Sequence, residues 1–297
     1  FVIPVADALL TIPNCQLSAV VTNPDRPSGR KQILTPSPMK QWAIDHKIPV
    51  LTPEKLDKDF EFRISDFEFD IGILAAYGKI IPQEVIDLFP KGILVIHPSL
   101  LPKYRGASPI QTAILNGEKE TGISIIAMDK KMYHGPVVHQ FKETINPDET
   151  AGELTKRLFC KTAEILPTVL TSYLDDKQSF SSNKITPKEQ DHQKATFTKL
   201  LTKNDGFLNL ATKGETFCAY NFIRAMSPWP GAWTMVSCHS RESGNPDPRL
   251  REDDKRLKIL KTHLEKGKLV LDEVQLEGKK PVSWAEFQKA YPEAKFF

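Results

Sequence analysis

The residues best suited to chemistry lie in Gly92-Ile-Leu-Val-Ile-His-Pro-Ser-Leu-Leu-Pro-Lys-Tyr-Arg-Gly-Ala-Ser-Pro-Ile-Gln111. Its apolar opening reads as a buried strand that ends at His97, after which Pro98, Pro102 and Gly106 shape a loop leading into a helix near Pro109. A lone histidine is most often a satisfied structural residue. At the carboxyl end of a strand, before a loop whose path proline fixes, it is placed for proton transfer. Open α/β sheets bind ligands in the crevice outside those carboxyl ends.

The elements that must position His97 follow from hydrophobic patterning. Short apolar, β-branched runs at Leu17 to Val21, Ile48 to Leu51, Ile71 to Ala75, Gly92 to Ile96, Ile123 to Met128 and Val137 to Phe141 read as strands. Between them, Met39 to His46, Gln83 to Leu88 and Ile110 to Asn116 read as helices, the last stopped by Gly117. Alternation of this kind predicts βαβ units on a mostly parallel sheet buried on both faces. Thr150-Ala-Gly-Glu153 is a capping box that opens a longer helix with apolar Leu154, Leu158, Leu166 and Leu170, kinked at Pro167, which closes the first domain.

A polar stretch across residues 182–203 reads as a surface linker. Beyond it, strand-like runs at Trp233 to Val236, Leu257 to Leu260, Leu269 to Val274 and Val282 to Trp284, with a helix near Glu215 to Ala225, suit a small antiparallel barrel. Residues 237–256 break that pattern: polar, charged and turn-rich, with Leu250 their single large aliphatic residue, they read as an exposed, repeat-like insert. The domains predicted are therefore 1–181, a linker at 182–203, and 204–297.

With 297 residues, the chain exceeds a single core. Its 40 Lys+Arg and 37 Asp+Glu leave a net charge of +3. From Lys184 onward there are 20 basic and 15 acidic residues, an asymmetry that suits either an anionic partner for the second half or a solvated mixed-charge surface. Cys15, Cys160, Cys218 and Cys238 are scattered without metal-binding spacing, so reduced structural thiols are expected. The absence of a long apolar run or signal-like start predicts a soluble cytoplasmic protein.

The loop from His97 to Gln111 resembles the signature loop of the formyltransferases that use 10-formyltetrahydrofolate, the methionyl-tRNA enzymes in particular. Further matching stretches are Phe1-Val-Ile-Pro4, Asn23-Pro-Asp-Arg-Pro-Ser-Gly-Arg30, Ala75-Ala-Tyr-Gly-Lys-Ile-Ile-Pro82, Gln190-Asp-His192, and Ile223-Arg-Ala-Met-Ser-Pro-Trp-Pro-Gly-Ala-Trp233. The resemblance implies a Rossmann-like formyltransferase domain followed by an OB-like β-barrel domain that binds tRNA. It also implies formyl transfer to the amino group of initiator methionyl-tRNA by a monomer, with 10-formyltetrahydrofolate as co-substrate and no metal or membrane.

By the same resemblance, Ala75, Tyr77, Gly78, Ser99, Leu100, Leu101 and Pro102 line the folate pocket, Ser99 serving equally well as a loop-stabilising hydroxyl. Arg26, Arg30 and Lys31 contact tRNA, Arg30 at the position associated with initiator recognition, and Arg224, Lys258, Lys261, Lys266 and Lys268 line an RNA-facing side of the second domain. Residues 227–233 are read as turn and core, their Trp rings supplying bulk.

The catalytic carry-over is incomplete. His97 matches, but Val95 stands where the family has an asparagine for the oxyanion, and Tyr133 where it has an aspartate orienting the histidine; Asp129 and His134 are neighbours, not replacements. Family chains also open with a strand and a Gly-containing turn, about ten residues absent here, before the Phe-x-x-Pro segment, so either these residues are a fragment of a longer product or the gene is truncated and the sheet carries an unpaired edge where a central strand would lie. With the insert, these departures point to a decaying gene or a faulty sequence. The second reading is a non-catalytic tRNA- or folate-binding relic, which Val95 and Tyr133 favour.

Overall fold

The structure is a computed structural model that describes residues 1–29, 31–174, 185–210, 217–237 and 254–296. Helix α1 (Ile3–Leu10) starts at a proline and buries Val5, Ala6 and Leu9. Strand β1 (Val20–Val21) leads into a hairpin of β2 (Arg26–Ser28) and β3 (Ile33–Thr35). Helix α2 (Pro38–Asp45) is capped by the Ser37 hydroxyl, which accepts the Lys40 N–H at 3.1 Å. There follow β4 (Val50–Leu51), α3 (Lys58–Ser65), β5 (Gly72–Ala75), α4 (Gln83–Ile86), β6 (Ile93–His97) and β7 (Arg105–Gly106). Next come α5 (Pro109–Leu115), β8 (Glu120–Ala127), β9 (Val137–Thr144) and α6 (Ala151–Leu174). The remainder is β10 (Phe197–Thr198), α7 (Phe217–Met226), β11 (Ala232–Ser237), β12 (Asp254–Glu265), β13 (Lys268–Leu276), β14 (Val282–Ser283), α8 (Trp284–Ala290) and β15 (Lys295–Phe296).

Every strand and helix expected before residue 174 is present. The elements missed there each have a reason. Helix α1 is apolar on most sides, α3 buries only Phe60 and Ile64, and the β2–β3 hairpin is exposed throughout, so none carries a clean period. The capping box of α6 forms as expected, with Thr150 N–H on Glu153 at 2.9 Å and Glu153 N–H on the Thr150 hydroxyl at 3.3 Å. The helix runs on through Pro167 without a break in assignment.

Two interleaved compact units make up the chain. One comprises residues 1–107, 121–143 and 155–198, the other 108–120, 144–154 and 199–297. In the first, β5 is parallel to β6 with Ala75 opposite Ile96, and β6 is antiparallel to β8 with His97 opposite Ser124, in the order β5-β6-β8-β9. A separate parallel pair, β1 with β4, packs against α1 and α2 around Ala6, Val20, Trp42 and Ala43. Strand β6, buried along its whole length, carries His97 at its last position.

The second unit holds an antiparallel sheet in the order β14-β13-β12-β11-β15, its core built on Val236, Leu257, Val274, Leu276 and Phe287. Trp284, expected to end a strand, instead starts α8, because Ser283 and Glu286 form a capping box. The last residues expected in the insert also belong to this sheet: Asp254, Lys255 and Arg256 pair with Ser237, Val236 and Met235. Residues 238–253 lie outside the described residues. Arg224, expected to face RNA, is a structural residue here. It is buried and donates to the carbonyls of Asn146 at 3.2 Å and Glu149 at 2.8 Å and to the Asn221 side chain at 2.9 Å. Lys258, Lys261, Lys266 and Lys268 are exposed, although Lys261 is engaged by Glu273 at 2.9 Å. In the 227–233 segment the turn is as expected, while the Trp229 ring is half exposed.

Candidate active site

His97 sits at the carboxyl end of β6, almost fully buried. Its Nε2 lies 2.9 Å from the Tyr104 carbonyl, which can only accept, so Nε2 carries the proton and Nδ1 keeps its lone pair. Burial, with the nearby Arg105 guanidinium, pushes the imidazole down to about 4 against the opposing pull of the Tyr104 carbonyl. The ring is therefore neutral at pH 7.

Tyr133 covers it. The two ring centroids are 4.0 Å apart at 31°, and Tyr133 holds this place with φ at +52°, a backbone region uncommon for a bulky residue. Burial raises its phenol, so it supplies no negative charge to His97. Val95, two residues back on β6, is buried with Leu101 and Ile126, and offers only methyl groups. Tyr133, Leu74 and Met128 pack on the same cluster.

Next to Tyr133, His134 points elsewhere. Its Nδ1 is 2.6 Å from Asp129 and its ring stacks on His192 at 3.8 Å. The turn that sends these two side chains apart depends on Gly135, because a Cβ there would collide with the Ala127 carbonyl. Gln190 ties the turn down by donating to the carbonyls of Tyr133 at 3.0 Å and Gly135 at 2.7 Å. Buried Arg105 donates in turn to Gln190 at 2.6 Å and to His192 Nδ1 at 2.8 Å.

Gln190 and His192 are the residues that reading the sequence for physical signals missed. They fall in the expected linker, yet residues 188–198 pair with Val137 and with β7. A single buried glutamine in a polar stretch leaves no periodic signal. Only the resemblance marked Gln190-Asp-His192.

Of the residues expected at a folate pocket, Ser99 is fully buried and its hydroxyl donates to the Lys103 carbonyl at 2.7 Å, a bond that holds the loop. Leu101 packs beside Val95 and its carbonyl accepts Gln140 at 3.1 Å. Leu100 and Pro102 are partly exposed in the same loop. Ala75 ends β5, and Tyr77 and Gly78 follow it in the loop. The Tyr77 hydroxyl is buried with no hydrogen-bond partner. Arg26 and Lys31 are exposed on the β2–β3 hairpin, with Ile33 and Leu34 also exposed there. Arg30 lies outside the described residues.

Among the described residues no cluster of His, Cys, Asp and Glu could hold a metal ion, and no helix is long and apolar enough to cross a membrane. Cys15, Cys160 and Cys218 are free thiols; Cys238 lies outside the described residues.

The chain that carries this histidine-ended strand and its proline-shaped loop belongs to the formyl transferase family. Residues 10–170 match its formyl transferase domain and residues 200–268 its C-terminal domain. Within the family the similar chains are methionyl-tRNA formyltransferases. The Roseiflexus castenholzii enzyme is 37% identical over 286 residues, 92% of this chain and 88% of its own. The Dictyoglomus thermophilum enzyme is 39% identical over 285 residues, with the same shares.

Solved structures share the fold. The methionyl-tRNA formyltransferase of Clostridium thermocellum superposes with a TM-score of 0.55 at 18% identity, covering 80% of this chain and 91% of that one. An N-formyltransferase of Helicobacter canadensis, solved with folinic acid and dTDP-3-aminofucose, gives 0.54 at 20% identity over 74% of each chain.

Proposed function

We propose that this site is built to move a formyl group from 10-formyltetrahydrofolate to the amino group of initiator methionyl-tRNA, and that this chain does so slowly. The methionyl-tRNA formyltransferases to which it is 37 to 39% identical support the substrates. The observation that carries the impairment is the Tyr133 ring tilted against His97 at a centroid distance of 4.0 Å.

In the reaction the amine attacks the formamide carbonyl, a tetrahedral oxyanion forms, the amine loses a proton, and the carbon–N10 bond breaks as N10 takes a proton. The oxyanion needs a donor aimed at it, and the amine proton needs an acceptor. His97 Nδ1 has the lone pair for the second task, but an imidazole held near 4 is a weak base at neutral pH. Val95 donates nothing to the first. Tyr133, neutral, cannot stabilise an imidazolium as a carboxylate would. Exposed Arg26 and Lys31 on the β2–β3 hairpin suit contacts to tRNA phosphates.

Formylation rates of four proteins test this: the chain itself, Val95→Asn, Tyr133→Asp, and the double variant. The double variant is expected to exceed the parent by at least ~10³-fold, each single change recovering part, because removing one oxyanion donor costs ~10²–10³ in turnover. A parent as fast as the double variant would overturn the impairment. A double variant that still binds methionyl-tRNA and folate but transfers no formyl group would leave a binding relic instead.

A further inference from the structure

Gln190 enters the first unit from a polar stretch, and the partners of its buried side chain fix which way the amide faces. The Arg105 guanidinium can only donate, so the amide oxygen must face it, at 2.6 Å. The carbonyls of Tyr133 and Gly135 can only accept, so the amide nitrogen faces both, at 3.0 Å and 2.7 Å. One planar fork thus holds two peptide groups, those that follow residues 133 and 135.

The turn's own backbone bond, from the His134 N–H to the Lys131 carbonyl, is long at 3.4 Å. Asp129 braces the side away from His97, accepting the Lys131 N–H at 2.9 Å and lying 2.6 Å from His134 Nδ1. Gln190 braces the other end of the turn, and is itself anchored. Arg105 is buried, and its main-chain N–H donates to the Thr196 carbonyl at 2.8 Å, so the guanidinium that grips Gln190 grows from backbone pinned to the same 188–198 segment. Lys188 and Val137 exchange backbone bonds at 2.7 Å and 2.8 Å, which fixes that segment just past the turn.

The bond to the Tyr133 carbonyl orients the peptide that leaves residue 133, and with it the direction of that residue's Cα–Cβ bond. Tyr133 has a second hold, its ring packed on Val95, Leu101 and Ile126. A short polar side chain at 133 has no apolar surface to pack, so its place beside His97 would depend on the turn alone.

We infer that Gln190 is a positioning residue: through the fork of its amide it sets where the side chain at 133 stands relative to His97. What that side chain does in formyl transfer rests on the function proposed above; where it stands does not.

The test is a double-mutant cycle on the full chain, Gln190→Met against Tyr133→Asp, in the Val95→Asn protein so that turnover can be measured. Methionine fills the space with neither the donors nor the acceptor. With aspartate at 133, losing the fork should cut kcat ~10–10²-fold, the cost of a misplacement of about 1 Å, and leave KM for methionyl-tRNA within ~2-fold. With tyrosine at 133 it should change kcat less than ~3-fold, because a neutral ring makes no contact that strengthens in the transition state. Equal losses would overturn the inference, since a general loosening of the fold acts alike in both backgrounds.

A second readout needs no formyl transfer. By proton NMR the His97 imidazole should titrate ~1–2 pH units higher after Tyr133→Asp, the effect of a carboxylate brought beside it, and Gln190→Met should remove at least half of that rise. A rise that survives Gln190→Met intact, or no rise with Gln190 in place, would overturn the inference. Absence of turnover in every variant would overturn the proposed function instead, and leave the titration to decide the role of Gln190. Gln190→Glu keeps the acceptor for Arg105 and loses only the donors, so it should match Gln190→Met in both readouts; its own charge acts in both backgrounds and cancels in the difference. A glutamate variant that behaved like the parent would make the Arg105 bond, not the fork, the contact that matters, and the inference would fall.

Discussion

Replacing His97 by glutamine should remove an acid sensitivity that the buried imidazole imposes on the fold. The folded ring titrates at about 4 and the unfolded one at the ordinary 6.5. With its folded value lowered, His97 contributes its full share of stability above pH 6.5, and loses it as pH falls from 6.5 toward 4, where the unfolded chain binds a proton that the native chain refuses. The gap is worth about 3.4 kcal/mol once pH is below both values, and about 2 kcal/mol is already lost at pH 5.0.

Glutamine can keep the donor to the Tyr104 carbonyl while removing the titration. It also forfeits the ring contact with Tyr133, ~0.5–1.5 kcal/mol that does not vary with pH. The assay is urea unfolding of parent and variant at pH 7.5 and pH 5.0. Other groups titrate in both proteins and cancel in the difference. The parent should be the more stable at pH 7.5 by ~1 kcal/mol and the less stable at pH 5.0 by a similar margin. A difference that stays constant between the two pH values would show that His97 is not held neutral, and the argument from the ring's burial and the Arg105 charge would fall.

Three further outcomes follow from the packing. Arg224→Met should cost ~2–4 kcal/mol by leaving the carbonyls of Asn146 and Glu149 without their donor, and should leave tRNA affinity unchanged; urea unfolding and filter binding measure the two, and weaker binding without lost stability would return Arg224 to an RNA-facing role. Gly106→Ala should cost more than ~2 kcal/mol, since φ there is +118° and a Cβ would lie 2.5 Å from the Thr198 carbonyl, and an unchanged unfolding midpoint would refute the close approach of β7 and β10. Residues 238–253 should be replaceable by Asn-Gly with the melting midpoint within ~3 °C, because Ser237 and Asp254 are direct partners across β11 and β12, the spacing that a two-residue turn closes; loss of soluble protein would show the segment to be structural.

Much of the fold was legible because it rests on local signals. The strand ending at His97, the stop of α5 at Gly117, and the Thr150–Glu153 capping box are each written in a few adjacent residues, and each is present. What was illegible depends on partners far along the chain. Gln190 is polar in a polar stretch, and only the folded chain brings it 2.6 Å from Arg105 and under the Tyr133 turn. Arg224 has the composition of an RNA contact and the burial of a structural cross-link. Charge type can be read from a sequence, but the direction in which the charge faces cannot.

The same distinction bears on what the site has kept. The parts that hold His97 in place depend on distant contacts: the Tyr104 carbonyl fixed beside Thr196, the Arg105–Gln190 bond, and Gly135 against Ala127. All of these are in order. In the function proposed above, Val95 and Tyr133 are the two departures, changes of side-chain chemistry on backbone that the rest of the unit positions. Tyr133 even retains a φ of +52°, which asparagine and aspartate tolerate far better than a bulky ring. A carboxylate returned to that position would therefore meet a backbone already shaped for it, next to an imidazole whose proton-accepting nitrogen is still free. Positioning is the part of a catalytic site that is hardest to rebuild, and under the proposed function it is the part already in place here, so two substitutions are enough to test that proposal.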